Sequence, residues 1–261
     1  MAITFDPAPA AKLLIGSMNS VERLREIPEA ARPGSISEGY DVQDHIATSG
    51  SGLNDKTAGW KLGLGSPNAM KGAKLDRPLI GRVFKNRLHA NPAAVSGPDG
   101  ASAMIEIELA FTLARDIGPA EPAPQPLDII ARANLVSEVV LSRFIDRTVV
   151  GLPSFTADNV GFHALIIGPE VDPSRISEIA KSVSVTRDGE HVAGSLSGDD
   201  AIDPLAMVTH LLAHARDRGI TLKKGEIITT GTLSKPFDVI IPSTIEARTS
   251  DGTVSYKLTS P

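Results

Sequence analysis

The spacing of apolar and polar residues changes character along the chain. Ala103-Met-Ile-Glu-Ile-Glu-Leu-Ala-Phe111 alternates with period two, the signature of a strand with two unlike faces. Ala58-Gly-Trp-Lys-Leu-Gly-Leu64 reads as a short strand, and Gly225–Thr232 and Phe237–Ile241 as strands punctuated by turn residues. Apolar residues at 129, 130, 133, 136, 140 and 144 fit a helix from Asp128 to about Ile145. Asp203 to Arg218 predicts a second helix, closed by Gly219. Near the N-terminus, Ser35-Ile-Ser-Glu38 has the spacing of a capping box and opens a helix running to about Thr48. A short helix is expected near Ser20–Ile27, closed by Pro28, and a loop from Ser49 to Asp55. No repeat and no Pro/Ser-rich linker divides the chain. The reading is an α+β, sheet-dominated protein. A helical N-terminal lobe over residues 1–75 carries the Lys61 strand, and the main domain covers 76–261.

Composition narrows the chemistry. The chain has no cysteine, which excludes disulfides, thiolate zinc sites and cysteine nucleophiles. Aromatics are only 4% while Gly (23) and Pro (19) are common, which suits short strands and tight turns. The net charge of −5 comes without a basic cluster, so nucleic acid is not an expected partner. No apolar run reaches bilayer length and the first residues lack a signal-peptide core, so no membrane association and a cytoplasmic location are the expectation.

The candidate chemistry lies in carboxylates. Glu106 and Glu108 are two apart on a strand and leave one face about 6.8 Å apart, while Ile105, Ile107 and Leu109 take the core-facing side. Anions sharing one space repel, and a hard divalent cation would reverse that interaction if a third oxygen ligand closed the site. Glu138, among Val136, Val139 and Val140, is an acid in apolar company that needs a partner. The plainer alternative makes the pair the wet face of an edge strand. Lys61, between Trp60 and Leu62, is either a surface lysine packed along Trp60 or a buried acid–base group with a lowered pKa. Asp158 could orient Lys61 or end a turn, and Thr232 after Gly231 could offer an oxyanion a hydroxyl and a backbone donor. Other motifs carry less. His210 and His214 have zinc-pair spacing but no following Glu and are expected to face solvent; Gly63-Leu-Gly65 lacks a third Gly; Gly194-Ser-Leu-Ser-Gly198 puts Leu where a nucleophile elbow needs Ser.

Taken in order, Gly39–Gln43, Gly59–Gly63, Pro78–Phe84, Glu106–Phe111, Glu138–Arg143, Ala157–Asn159 and Thr230–Thr232 resemble the 2-keto-4-pentenoate hydratase / 4-oxalocrotonate decarboxylase family of the fumarylacetoacetate hydrolase superfamily. The resemblance spans roughly residues 35 to 260. It implies a β-roll of the fumarylacetoacetate hydrolase C-terminal type, Mg²⁺ or Mn²⁺ on Glu106, Glu108 and Glu138, and a homo-oligomer. Lys61 and Asp158 would be the catalytic residues, with Leu64, Leu79, Gly231 and Thr232 at the substrate. The substrate would be a small 2-oxo acid, and the reaction hydration of a 2-hydroxy-2,4-dienoate to a 4-hydroxy-2-oxo acid. Decarboxylation of a 2-oxo-3-enedioate, C–C hydrolysis or tautomerisation, and a catalytically silent subunit are the alternatives. The chain departs from the family pattern at Gly65, Leu79, Leu141 and Val160–Gly161, where Thr, an acid, Asp and small polar residues are usual. Those apolar replacements favour the alternatives if they line the pocket.

Overall fold

A computed structural model describes residues 5–18, 20–48 and 57–261; the loop expected at 49–55 lies wholly outside them. The N-terminal part contributes helices α1 (Ala8–Met18) and α2 (Ile36–Thr48), then β1 (Thr57–Gly63), α3 (Pro67–Ala73) and β2 (Leu79–Phe84). The strands β3 (Leu88–Ala90), β4 (Ala93–Ser96), β5 (Ser102–Leu113) and β6 (Ile130–Val140) follow, with α4 (Gly151–Ala157), β7 (Phe162–Val171) and α5 (Ile176–Lys181). The last part holds β8 (Ser184–Arg187), β9 (Glu190–Gly194), α6 (Pro204–Asp217), β10 (Ile227–Thr232), β11 (Phe237–Ile240), β12 (Ser243–Thr249) and β13 (Gly252–Thr259).

Two sheets form the frame. The larger runs β2-β1-β10-β5-β6-β7-β3, with β11 also paired to β5, and the smaller runs β4-β13-β12-β8-β9. Odd-numbered side chains of β5 (Ile105, Ile107, Leu109, Phe111) join Val254, Tyr256 and Leu258 of β13 and the buried side of α6 in one core. Even positions face the other way, where Ala110, Val136 and Leu165 meet Ala10, Leu14, Val42 and Ile46 of the N-terminal helices. Each fully buried Val, Leu, Ile or Phe side chain among them contributes about 1.5–3 kcal/mol by leaving water. The Lys61 strand β1 lies inside the larger sheet, parallel to β10 and antiparallel to β2, so sheet pairing joins the N-terminal lobe to the main domain.

The expected capping box forms: Ser35 Oγ accepts from the Glu38 amide at 3.2 Å, and Glu38 Oε2 accepts from the Ser35 amide at 3.2 Å. At α6, Asp203 Oδ1 caps the amides of Leu205 and Ala206, and Gly219 follows at φ +67°.

Three expectations are corrected. Residues 128–145 are not a helix: β6 is a strand held between β5 and β7, buried on both faces from Leu135 on. A central strand shows apolar residues on both faces, and its period-two signal disappears. Residues 20–27 are irregular, tied down by the pairing of Leu24 with Phe144; the first helix is the Ala-rich run before them, whose Ala8 amide is held by Asp6 Oδ1 at 3.0 Å. His214 does not face solvent. It is 5% exposed, edge-on to Tyr40 at 4.6 Å and near Trp60 at 6.5 Å, and burial pushes its imidazole down to about 4.

A folded-state histidine pKa below the usual 6.5 means the unfolded chain binds the extra proton. The stability that His214 contributes is present above pH 6.5 and is lost as pH falls toward 4. The full shift corresponds to on the order of 3 kcal/mol. Urea-unfolding midpoints measured across that range should fall more steeply for wild type than for His214→Phe, and equal slopes would refute the assignment.

Candidate metal centre

Strand pairing assembles the acids. Glu106 on β5 stands directly opposite Glu138 on β6, and Glu108 lies two residues along β5 on the same face. One carboxylate oxygen from each of the three falls within 4.8 Å of the others. Glu108 and Glu138 are fully buried, whereas Glu106 is partly exposed and lines the wall of a cleft. Like charges directly across a sheet destabilise it, so this arrangement calls for a cation. The edge-strand alternative for Glu106 and Glu108 fails, because β5 has partners on both sides.

Lys61 supplies part of that charge. The residue is 1% exposed, and its ammonium lies 3.0 Å from Glu138 Oε1 and 3.3 Å from the Val160 carbonyl. Burial alone would pull its pKa down, but Glu138, Glu106 and Glu108 outweigh burial and hold it above the ordinary lysine value. The expected lowering is therefore reversed in the metal-free protein. Three carboxylates against one ammonium leave two negative charges, which one divalent cation would balance. Burial pushes Glu138 up to about 7, with Lys61 pulling back and Glu106 adding. Burial, then the charges of Glu138 and Glu106, hold Glu108 well above the usual carboxylate range. Oε1 of Glu108 and Oε2 of Glu138 are buried and accept from no well-aligned donor among the described residues. An all-oxygen donor set with buried oxygens lacking donors and a charge of minus two fits Mg²⁺ or Mn²⁺.

The surroundings fix these side chains. A register shift in β10 between Thr229 and Thr232 accompanies Gly231 at φ +85°, and the Gly231 amide donates to Glu108 Oε2 at 2.7 Å. Behind β6, Ser137 donates to the Glu106 carbonyl at 3.2 Å and meets the Tyr256 hydroxyl at 2.9 Å. Above Lys61, Asn159, Val160 and Gly161 all have positive φ. A β-branched residue at φ +52° is a strained backbone, and here the strain aims the Val160 carbonyl at Lys61.

The other residues named from sequence fall into two groups. Leu64, Gly231 and Thr232 line the cleft beside Glu106, with Leu196, Ile202 and Pro236. Neither oxyanion donor is free, however: the Gly231 amide serves Glu108, and the Thr232 hydroxyl donates to the Ser234 carbonyl at 2.8 Å. Leu79 pairs with Gly63 and so shares the Lys61 side of the sheet, but it lies off the cleft, as does Leu141. Asp158 does not pair with Lys61. It is fully buried and bound to Arg143: Oδ1 accepts from Arg143 Nε, and Oδ2 accepts from Ser142 Oγ at 2.6 Å and the Arg143 amide at 3.1 Å. Burial raises its pKa and Arg143 pulls it back. Arg143 also donates to the carbonyls of Leu141, Asp158 and Phe162. This knot anchors the turn that presents Val160 to Lys61. Breaking it should therefore unfold before it inactivates: Asp158→Ala leaves a buried guanidinium unpaired and should cost about 3–5 kcal/mol in chemical denaturation. A variant that keeps wild-type stability would refute the anchoring role.

Sequence reasoning missed Val160 and Arg143 as supports of Lys61. Nothing in the sequence marks a carbonyl acceptor, and the Arg143 partner lies 15 residues away across α4.

Three acids gathered on the sheet, with a buried lysine beside them, have the geometry of a divalent-metal centre. Residues 47–253 match the fumarylacetoacetate (FAA) hydrolase C-terminal family, and the chain belongs to it. It is 23% identical over 229 residues to a 2-hydroxyhexa-2,4-dienoate hydratase of Comamonas testosteroni, with 85% of each chain covered. It is 24% identical over 221 residues to a 2-keto-4-pentenoate hydratase of Paraburkholderia phymatum, with 83% of each covered. Among solved structures, 4-oxalocrotonate decarboxylase from Pseudomonas putida G7, complexed with magnesium and adipate, superposes with a TM-score of 0.82 at 21% identity, covering 98% of this chain and 99% of that one. Fumarylpyruvate hydrolase from Pseudomonas aeruginosa, with Mn²⁺ and pyruvate, gives 0.55 at 15% identity, covering 77% and 89%.

Proposed function

We propose that this protein is a divalent-metal-dependent lyase of small 2-oxo acids, and specifically a hydratase converting 2-hydroxy-2,4-dienoates to 4-hydroxy-2-oxo acids. The observation that carries the reading is the Glu106–Glu108–Glu138 cluster with Lys61 beside it, reached through a cleft that Glu106 lines with both apolar and polar residues. Two relatives aligned over most of their length are named as hydratases, which supports the choice of reaction.

Glu106, Glu108 and Glu138 would hold Mg²⁺ or Mn²⁺, which when bound supplies Lewis acidity toward the carboxylate and keto oxygens of a 2-oxo acid. Lys61 holds a proton beside that position and, kept cationic by its acidic neighbours, binds the substrate's charged head or returns a proton to carbon. Leu64, Leu196, Ile202 and Pro236 take the hydrocarbon tail and exclude bulk water. Hydration still needs polar groups near the alkene, and the cleft offers Ser66, Asn68 and Asp200. Because Leu79 and Leu141 do not line it, their apolar character removes no water-holding group from the cleft. The reading includes a homo-oligomer in the cytoplasm. Among the described residues, no helix is long and apolar enough to cross a membrane.

NMR product analysis with Mg²⁺ tests the reaction. 2-Hydroxypenta-2,4-dienoate should yield the 4-hydroxy-2-oxo acid. Release of CO₂ from a 2-oxo-3-enedioate without any hydrated product would replace hydration by decarboxylation.

A further inference from the structure

A cavity of about 60 Å³ opens between the end of α1, the irregular segment after it and the residues that follow β2 and β6, and it shares no lining residue with the metal cleft. Arg23, Arg87 and Arg143 line it together with Ser20 and His163, and none of its described lining residues is an acid. The chain as a whole has 31 acids against 26 lysines and arginines, so three guanidiniums around an acid-free cavity reverse the local sign.

These cations are committed to different degrees. Arg143 is spent on Asp158 and on the carbonyls of Leu141, Asp158 and Phe162. Arg23 has no acid partner among the described residues. Its Nε donates to the Ser142 carbonyl at 3.2 Å and its Nη2 to the Phe144 carbonyl, while Nη1 makes no hydrogen bond to a described residue. Two of the five N–H donors of the fork are thus used. Burial lowers the pKa of Arg23, Asp158 opposes that, and Arg143 and Arg147 add to it. Since Asp158 already serves Arg143, a half-buried cation is left without a counter-ion of its own. Ser20 offers a further donor, because its Oγ accepts from the Glu22 amide at 3.1 Å and its own proton is uncommitted among the described residues. His163 adds no charge: burial pushes its imidazole down to about 4 against its bond to the Ser96 carbonyl, and the nearby charges of Arg87 and Arg143 act with burial.

We propose that this cavity is an anion site, which takes one small tetrahedral oxyanion such as free phosphate between Arg23, Arg87 and Ser20. Guanidinium forks bind such oxyanions through short, charge-assisted hydrogen bonds. A water occupies about 10–15 Å³ of such space, so the cavity holds an anion of a few heavy atoms and no nucleoside. The two carbonyls that Arg23 clamps flank Arg143, whose bond to Asp158 anchors the turn that presents Val160 to Lys61. A bound anion neutralises the clamp and so stabilises that anchor from outside the metal site.

The test is calorimetric titration of the full chain with inorganic phosphate at constant ionic strength, once metal-free and once with Mg²⁺. One equivalent should bind with the same affinity in both states, because the three clustered glutamates lie elsewhere. Phosphate at a hundred times its Kd should raise the melting temperature by about 5 °C. Acetate, with one charge and two oxygens, and adenosine monophosphate, whose nucleoside has no room, should each bind at least tenfold more weakly. Arg23→Gln should weaken phosphate binding at least tenfold. Should the loss of its two carbonyl bonds unfold that variant, Arg87→Gln leaves the clamp in place and carries the same expectation. The proposal is overturned if phosphate shows no saturable binding, if binding requires Mg²⁺, if acetate or adenosine monophosphate binds as well, or if the folded variants bind like the wild type.

Discussion

Glu108→Ala should reduce Mg²⁺-dependent turnover by about a thousandfold or more and should abolish the rise in melting temperature that Mg²⁺ gives the wild type. Glu106→Ala should do the same. The reason lies in the balance of charges: with one carboxylate gone, the cluster holds minus one, and a divalent ion loses both a ligand and its electrostatic match. The metal-free proteins should behave in the opposite sense. Glu138 has a folded pKa of about 7 against an ordinary 4.5, and burial also holds Glu108 well above the usual carboxylate range. Carboxyls raised on folding stabilise the fold while protonated, and that stability is lost as pH rises from about 4.5 through 7. Metal-free wild type should thus weaken toward pH 8, where Mg²⁺ has its largest effect. Glu108→Gln, which removes a charge and leaves the Glu138–Lys61 pair intact, should melt higher than metal-free wild type at that pH. An equal Mg²⁺ shift in wild type and variants would overturn the ligand assignment, whatever the reaction proves to be.

Lys61→Met should lower kcat by about a thousandfold, the scale of a lost proton donor and charge partner together. Met keeps most of the volume packed over Gly63 and Gly81, where the lysine stem runs, so the fold should survive. Mg²⁺ binding should persist and even tighten at low salt, because the variant cluster holds minus three instead of minus two. Measuring metal affinity by calorimetry alongside turnover separates the two outcomes. Near-wild-type turnover would return Lys61 to a packing role, and lost metal binding would show that the ammonium organises the site instead of acting on substrate.

How much of this was legible beforehand depended on where each signal sits. The β5 pattern was readable because its two acids interrupt one face only, leaving Ile105, Ile107 and Leu109 in register on the other. The caps of α2 and α6 were readable because they are made within four residues. β6 was not, since a strand buried on both faces offers no alternation, and its apolar positions happened to fall at helical spacing. Glu138 could still be marked as an acid needing a partner, but its position opposite Glu106 is a fact of strand register that only the fold provides. Asp158 shows the opposite failure. The sequence left it either orienting Lys61 or ending a turn; it pairs with Arg143, and the contact with Lys61 is made by the carbonyl of Val160, which carries no side-chain signature. The resemblance to known lyases pointed to the three acids and the lysine that the sheet brings together; chemistry at the level of single donors required coordinates.

The pairing pattern also bears on the sequence of assembly. β5, β6 and β7 follow one another in the chain and pair as neighbours, so Glu106, Glu108 and Glu138 are gathered by nearby segments. Lys61 arrives on β1, whose parallel partner β10 comes from more than half the chain away. Closing so large a loop is entropically the slower event. On the way to the native state the three acids therefore meet each other before they meet their lysine.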